Sequence, residues 1–382
     1  MSYMTHASHR NIILSLSVFI IFFYFLTSSQ LESRSTPLSY FNYTSPKQEF
    51  LQELEHNPTY QKTGINIQPS HPAELPLQTK VLRQLKTLFP YDPTLPIPKK
   101  LWQMWKVGLE HDEFPKKFKQ YRSTWVDGIP DYEHIVKTNE ECDAMVQELY
   151  ADIPDILHAY NIMPRTILKC DFSRYLILFA YGGVYADIDT ELLKPIDSWI
   201  SSKPQYLDKD MNLGLVVGVE SDRDDWVRKY SRRLQINTWT IMARKGHPML
   251  AELINEITQI TLRREETGLL NATLGIDAGD NVMNWTGPGE FTDVLFRYMN
   301  SILQEDFDNY ETLINYSFFI NINHPVAVGD VMVLPKECMS PTRRSKATGE
   351  FSDPMAYVHH KGSGVWKKEE QKIQDEAKAK AN

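Results

Sequence analysis

The sequence predicts an α/β domain with a mostly parallel central sheet. Three observations carry the prediction. Apolar stretches at helical spacing alternate with short aliphatic and aromatic strands, a Gly-Gly pair closes a helix directly before one strand, and 42% of the 382 residues are hydrophobic, enough for a large core. The rest of the composition excludes other classes. With 12% aromatic and 24% charged residues the chain is too apolar for global disorder. Lys and Arg number 41 against 49 Asp and Glu, a net charge of −8, so no nucleic-acid partner is expected. Cys142, Cys170 and Cys338 lack the Cys-x-x-Cys spacing of zinc or redox motifs and allow one disulfide at most.

Residues 1–11 form a short tail ahead of an apolar segment at 12–29, whose core, Ile12 to Leu26, carries no charge. Such a helix reaches about 22 Å against a hydrocarbon core of ~30 Å. Two readings stand. A cleaved signal peptide has an apolar stretch of this length, and Thr27-x-Ser29 suits its peptidase; a signal anchor would keep the segment. The bulky Phe19, Phe22, Phe23, Tyr24 and Phe25, with Arg10 on the N-terminal side, favour the anchor and place everything after it in the lumen. Asn-x-Ser/Thr sequons at Asn42, Asn271, Asn284 and Asn315 agree with a lumenal location.

Residues 30–96 are rich in Ser, Thr, Pro, Gln and Asn and read as a stem, with one amphipathic stretch at Val81, Leu82, Leu85, Leu88 and Phe89. The globular domain is expected over 97–367, followed by a charged tail at 368–382. It opens on a Pro-initiated strand, Ile97 to Trp105. Thr138-x-x-Glu141 is a capping box that starts a helix through Leu149. A second helix runs from Ile167 to Tyr181 and stops at Gly182-Gly183. A strand, Val184 to Asp189, follows.

That strand carries the chemistry. A side-chain period of two puts Tyr185, Asp187 and Asp189 on one face. Neighbouring carboxylates repel unless a cation sits with them, and a hard divalent ion completes its shell with substrate phosphates. The reaction this permits is loss of a nucleoside diphosphate from a sugar nucleotide. Asp-x-Asp taken alone is common by chance and usually marks a solvated turn or a helix cap. Asp171 and Arg174, three residues apart on the preceding helix, form either a surface ion pair or contacts to sugar and phosphate.

Asp171-Phe-Ser-Arg174-Tyr-Leu followed by Gly182-Gly-Val-Tyr185-Ala-Asp187-Ile-Asp189 resembles the signature of GT-A type glycosyltransferases with a DXD motif. Ile97 to Lys106, Met283 to Gly289, and Met355 through His359 and His360 to Trp366 are similar to the fungal Och1-type α-1,6-mannosyltransferases. The resemblance spans most of residues 97–367. It implies a single Rossmann-like GT-A catalytic domain on a type II Golgi membrane protein. Mannose would pass from GDP-mannose, with retention and with Mn²⁺ (Mg²⁺ as the alternative ion), to the core of N-linked glycans.

Carried over by motif, Asp187 and Asp189 bind the metal–diphosphate, and Asp171 and Arg174 contact the donor. His360 is the third metal candidate, six residues before Trp366, with His359 as its rival. Tyr185 belongs to the same strand face. Trp102, Gln103 and Trp105 lie where this fold receives the nucleotide base, with core packing as the competing role, above all for Trp102. Trp285 and Gly287 belong to a loop that either lines the substrate or is a turn around a packed Trp; Asp277, Asp280 and Asn281 either reach the sugar or shape their loop. Transfer to inositol sphingolipid, or a non-catalytic place in a Golgi mannosyltransferase complex, are the alternatives.

Overall fold

The computed structural model describes residues 66–67, 79–202, 212–275, 277–303, 313–342, 351 and 353–365. The tail, the apolar segment at 12–29, most of the stem, Trp366 and the 368–382 tail lie outside them. No helix among the described residues is long and apolar enough to cross a membrane.

In chain order, a strand β1 (Asn66–Ile67) precedes helix α1 (Lys80–Leu88), which starts where Thr79 accepts the Leu82 N–H at 3.1 Å. Val81, Leu82 and Leu85 on α1 are buried in the main core. This corrects the stem boundary expected at residue 96: the amphipathic stretch belongs to the domain, because its apolar face has a partner surface to cover. Strand β2 (Lys100–Met104), helix α2 (Lys116–Gly128) and strand β3 (Glu133–Lys137) follow. Helix α3 (Asn139–Leu149) has the expected capping box, with Thr138 and Glu141 each accepting the other's N–H.

After α4 (Pro154–Ile162) comes α5 (Thr166–Tyr181), the central helix, closed by Gly182 at φ 67° and Gly183 at φ 108°. Both positions demand glycine for space as well as backbone angle: a Cβ at either would lie 2.7 Å from a neighbouring main-chain atom, Lys245 N or Lys100 O. Strand β4 (Gly183–Ala186) is shorter than expected. Asp187 to Asp189 form a turn, because the Thr190 N–H (3.0 Å) and hydroxyl (2.6 Å) both donate to the Asp187 carbonyl. The chain then enters β5 (Thr190–Leu192).

The second half supplies β6 (Leu215–Ser221), β7 (Gln235–Ile236), β8 (Thr240–Ala243), α6 (Pro248–Glu266), α7 (Ala278–Met283), α8 (Pro288–Ser301), β9 (Val326–Val328), β10 (Val331–Leu334), α9 (Lys336–Met339) and β11 (Val358–His360). The main sheet runs β1-β9-β10-β6-β8-β4-β2-β3, with β7 beside β6. β2 pairs in parallel with both β3 and β4, so their carboxyl ends share one edge. Parallel pairing recurs at β10–β6 and β1–β9, while β8 runs antiparallel to β4 and β6. β5 and β11 form a separate two-stranded sheet.

Alternation along the strands divides the core. Trp102 and Met104 on β2 and Tyr185 on β4 face Leu85, Val146, Phe172, Leu253 and Val294 on the surrounding helices. Leu101, Val184 and Ala186 face the other way, toward Trp125, Trp199 and Met339. Each large apolar side chain so covered contributes roughly 1.5–3 kcal/mol. All three cysteines are free thiols.

One buried group works against the fold at neutral pH. Glu252 on α6 is 7% exposed, and its Oε1 has no hydrogen-bond partner among the described residues. Burial, only partly offset by Arg297, pushes its carboxyl up to about 7 from the ordinary 4.5. A folded-state pKa above the unfolded one means stability is greatest below about pH 4.5 and falls as pH rises to 7, by about 3 kcal/mol at most. Glu252→Gln is therefore expected to gain stability over the wild type as pH rises from 5 to 8, read from urea midpoints. An unchanged gap would contradict this.

Candidate active site

The carboxyl ends of β2, β3 and β4 place Trp105, Thr138–Asn139 and Asp187 along one edge of the sheet, where open α/β sheets bind ligands. Ile188 anchors the turn after β4 by packing with Phe114 and Phe118, and the acids on either side of it turn to a common point. One oxygen of Asp187, one oxygen of Asp189 and one ring nitrogen of His360 lie within 4.8 Å of one another. His360 arrives on β11, paired with Thr190 of β5, and its Nε2 is 3.2 Å from Asp189 Oδ1. Two carboxylates and an imidazole on a half-buried surface suit Mn²⁺ or Mg²⁺ in their donor atoms.

Each member is held from behind. The Ser363 N–H donates to Asp189 Oδ2 at 2.8 Å. Burial raises the pKa of Asp189, but His360 and Ser363 outweigh it and hold the carboxyl well below the usual range. Burial likewise disfavours charge on His360, and Asp189 with Asp187 overcomes it, so its pKa is raised. The Trp239 ring stacks on His360 at 4.7 Å, and the Trp239 carbonyl accepts the Asp187 N–H at 2.9 Å. Tyr185 donates its hydroxyl to Asp187 Oδ1 at 2.7 Å.

Behind the acids lies a buried ion pair. Arg174 Nη2 is 2.8 Å from Asp171 Oδ1, and its Nη1 is 3.4 Å from Asp187 Oδ1 and donates to the Thr238 carbonyl at 2.9 Å. Its Nε has no hydrogen-bond partner among the described residues, and its guanidinium lies 4.8 Å over the Tyr185 ring. Burial works against the charge of Arg174, yet Tyr185, Asp187 and Asp171 raise its pKa. Asp171 is pushed up to about 6 by burial and by Asp187, against the pull of Arg174 and of the Thr286 hydroxyl, which donates to Oδ2 at 3.1 Å.

The structure thus gathers Asp171, Arg174, Tyr185, Asp187, Asp189 and His360. His359 points away, 3.5 Å from Glu191 and 3.0 Å from Lys361 Nζ, because neighbours on a strand face opposite sides. Other expectations change. Trp102 belongs to the core: 5% exposed, stacked on Tyr181, with its indole N–H donated to the Gly182 carbonyl at 3.0 Å. Trp285 is also core, donating to Thr261 at 2.8 Å beneath the Arg264 guanidinium. Gly287 caps the start of α8. Asp277 caps α7, and Asp280 binds Asn284 and Ser231. That leaves the Asn284 amide nitrogen donating to Asp280 and Ser231, so this sequon is committed to the fold.

Gln103 is buried with Nε2 lacking a partner among the described residues, and Trp105 is half-buried against Phe118 with its Nε1 equally unpartnered. Gln103 lies within β2 and Trp105 directly follows its carboxyl end. The sequence reading missed Thr238, Trp239, Thr286 and Ser363. Thr286 lies inside the loop singled out for its glycines, but its hydroxyl contact to Asp171 spans 115 residues. Thr286→Val should lower kcat/KM about tenfold without altering the metal requirement, since one buried carboxylate bond is lost. Wild-type kinetics in that variant would show the contact to be dispensable.

Alongside α5, Met104, Asn139, Asp143, Cys170 and Ser173 help to line a cavity of about 310 Å³. Cys170 and Ser173 flank Asp171 and Arg174 in sequence. An acid pair able to hold a cation, an adjoining arginine and a cavity at the strand ends suit a nucleotide-linked sugar.

A model of the glycosyltransferase sugar-binding region containing the DXD motif matches residues 115–206. The protein is a DXD-type glycosyltransferase with an α/β fold. The initiation-specific α-1,6-mannosyltransferase of Candida albicans is 46% identical over 368 residues, 94% of this chain and 95% of that protein. Its Saccharomyces cerevisiae counterpart is 34% identical over 76% of this chain and 82% of that protein. The chain belongs to the Och1-type family of initiation-specific α-1,6-mannosyltransferases. Inositol phosphoceramide mannosyltransferase 3 of Schizosaccharomyces pombe is more distant, 29% identical over 42% of this chain and 37% of that protein.

Proposed function

We propose that the protein transfers mannose from GDP-mannose in α-1,6 linkage, with retention, to the core of N-linked glycans, using Mn²⁺, as a type II Golgi membrane enzyme. The observation that carries this reading is the convergence of Asp187, Asp189 and His360 beside the buried Asp171–Arg174 pair. A cation held by those three side chains would offset the charge that develops on the departing diphosphate.

The chain's own residues supply the rest. Arg174 is fixed by Asp171, Asp187 and the Thr238 carbonyl, so its charge needs no reorganisation to act on a donor. Asp171 has both oxygens engaged but keeps lone pairs for a sugar hydroxyl. Tyr185 and the Trp239 carbonyl set the direction of Asp187; Trp239 and β11 set that of His360.

The test is to incubate the full-length protein with GDP-mannose, Mn²⁺ and a panel of high-mannose N-glycans and inositol sphingolipids. An α-1,6-mannosylated N-glycan is the expected product. Transfer to the lipid alone would reverse the acceptor assignment, and no transfer in Mn²⁺ that recovers with another donor would reverse the donor. Association with other Golgi mannosyltransferases belongs to the same proposal and is tested by co-purification from membranes.

A further inference from the structure

The cavity beside α5 holds a group that the transfer chemistry does not use. Among the side chains lining it, Asp143 is the one carboxylate. Asp143 lies on α3 four residues after Asn139, on the same helix face. Its Oδ1 accepts the Tyr160 hydroxyl at 2.6 Å, and that hydroxyl also meets Ser173 Oγ at 2.9 Å. This chain from α4 through α3 to α5 fixes the carboxylate's orientation. Its Oδ2 takes no hydrogen bond among the described residues, and a carboxylate oxygen with one partner can accept another.

We propose that Asp143 reads the base of the donor nucleotide and selects guanine. The inference rests on the nucleotide-sugar reading above and adds a specificity-determining residue to it. The cavity lies at the carboxyl ends of β2 and β3 and shares α5 with Asp171 and Arg174, so a diphosphate at the acid cluster directs its nucleoside toward this wall. Guanine presents two adjacent N–H donors on one edge, N1–H and the 2-amino group, which a carboxylate accepts together. Uracil offers one N–H between two carbonyl oxygens, and adenine offers a bare nitrogen acceptor at N1. Either would set lone pairs against Asp143. Hydrogen bonds to a charged acceptor are the stronger kind, and a site built around them strongly rejects analogues that lack the donor.

Binding of GDP, inosine diphosphate, UDP and ADP to the full-length protein in Mn²⁺, measured by calorimetry, tests this. Inosine diphosphate differs from GDP only by the missing 2-amino group. The wild type should bind GDP about tenfold or more tighter than inosine diphosphate, with UDP and ADP weaker still. Asp143→Asn keeps an oxygen for Tyr160 but faces guanine with an amide N–H₂; its GDP to inosine diphosphate ratio should fall to about one. Tyr160→Phe keeps the charge of Asp143 but frees its orientation, so the preference should fall by less than in Asp143→Asn, and melting temperatures separate loss of reading from loss of fold. An Asp143→Asn protein that is folded and still prefers GDP as the wild type does would overturn the assignment. If the wild type binds no nucleoside diphosphate, the donor reading beneath it falls instead.

Discussion

Asp187→Ala and Asp189→Ala are each expected to lower metal-dependent mannosyl transfer at least about a thousandfold. The reason is electrostatic. Either change removes one of the two carboxylates of the Asp187–Asp189–His360 cluster, and among the described residues no other such cluster forms. The consequences for the fold differ. Asp187 accepts from Tyr185 and faces Arg174, so its loss leaves a phenol without its acceptor while Arg174 keeps Asp171. Asp189 holds Ser363 and His360, so its loss also releases the segment after β11. Asparagine at 187 should preserve the Tyr185 bond, and asparagine at 189 one of its two bonds, and each still removes the charge. Activity, Mn²⁺ binding by electron paramagnetic resonance, and melting temperature together check the claim; full turnover in Asp187→Asn or Asp189→Asn, or in excess chelator, would sink the metal assignment.

The second large effect is on stability. Asp171→Ala should destabilise the domain by about 3–5 kcal/mol, because a buried guanidinium loses its nearest counter-ion and cannot shed its proton. Arg174→Met should cost less. Asp171 already has a pKa near 6, pushed there by burial and by Asp187, and without Arg174 it can take up a proton and become neutral. The asymmetry is measurable as the difference between the two urea midpoints at pH 6. Equal losses, or a larger loss in Arg174→Met, would mean that the pair is not governed by its buried charges. Both variants should lose transfer activity.

Local signals in the sequence were reliable where the deciding contacts are local. The capping box of α3 and the glycine stop of α5 involve residues within a few positions, and both appear as read. The strand carrying the acids was read too long, because the Thr190 bonds that bend it after Ala186 leave no mark in an alternating pattern. The acids still converge, through the turn and Ile188 instead of through strand periodicity. Tryptophan was the least legible type. Trp102 and Trp285 sit in motifs that suggest ligand contact, but each has a buried acceptor for its N–H, which only tertiary structure reveals. The choice between His359 and His360 likewise waited for the pairing of β11 with β5.

The turn joining β7 to β8 has a genetic consequence. It grips Arg174 and Asp187 through the carbonyls of Thr238 and Trp239, and no codon change removes a carbonyl. What keeps those carbonyls in place is Asn237, which donates to the Gly218 carbonyl and accepts the Thr240 N–H. Saturation mutagenesis should therefore find Asn237 intolerant although its side chain touches neither Arg174 nor Asp187.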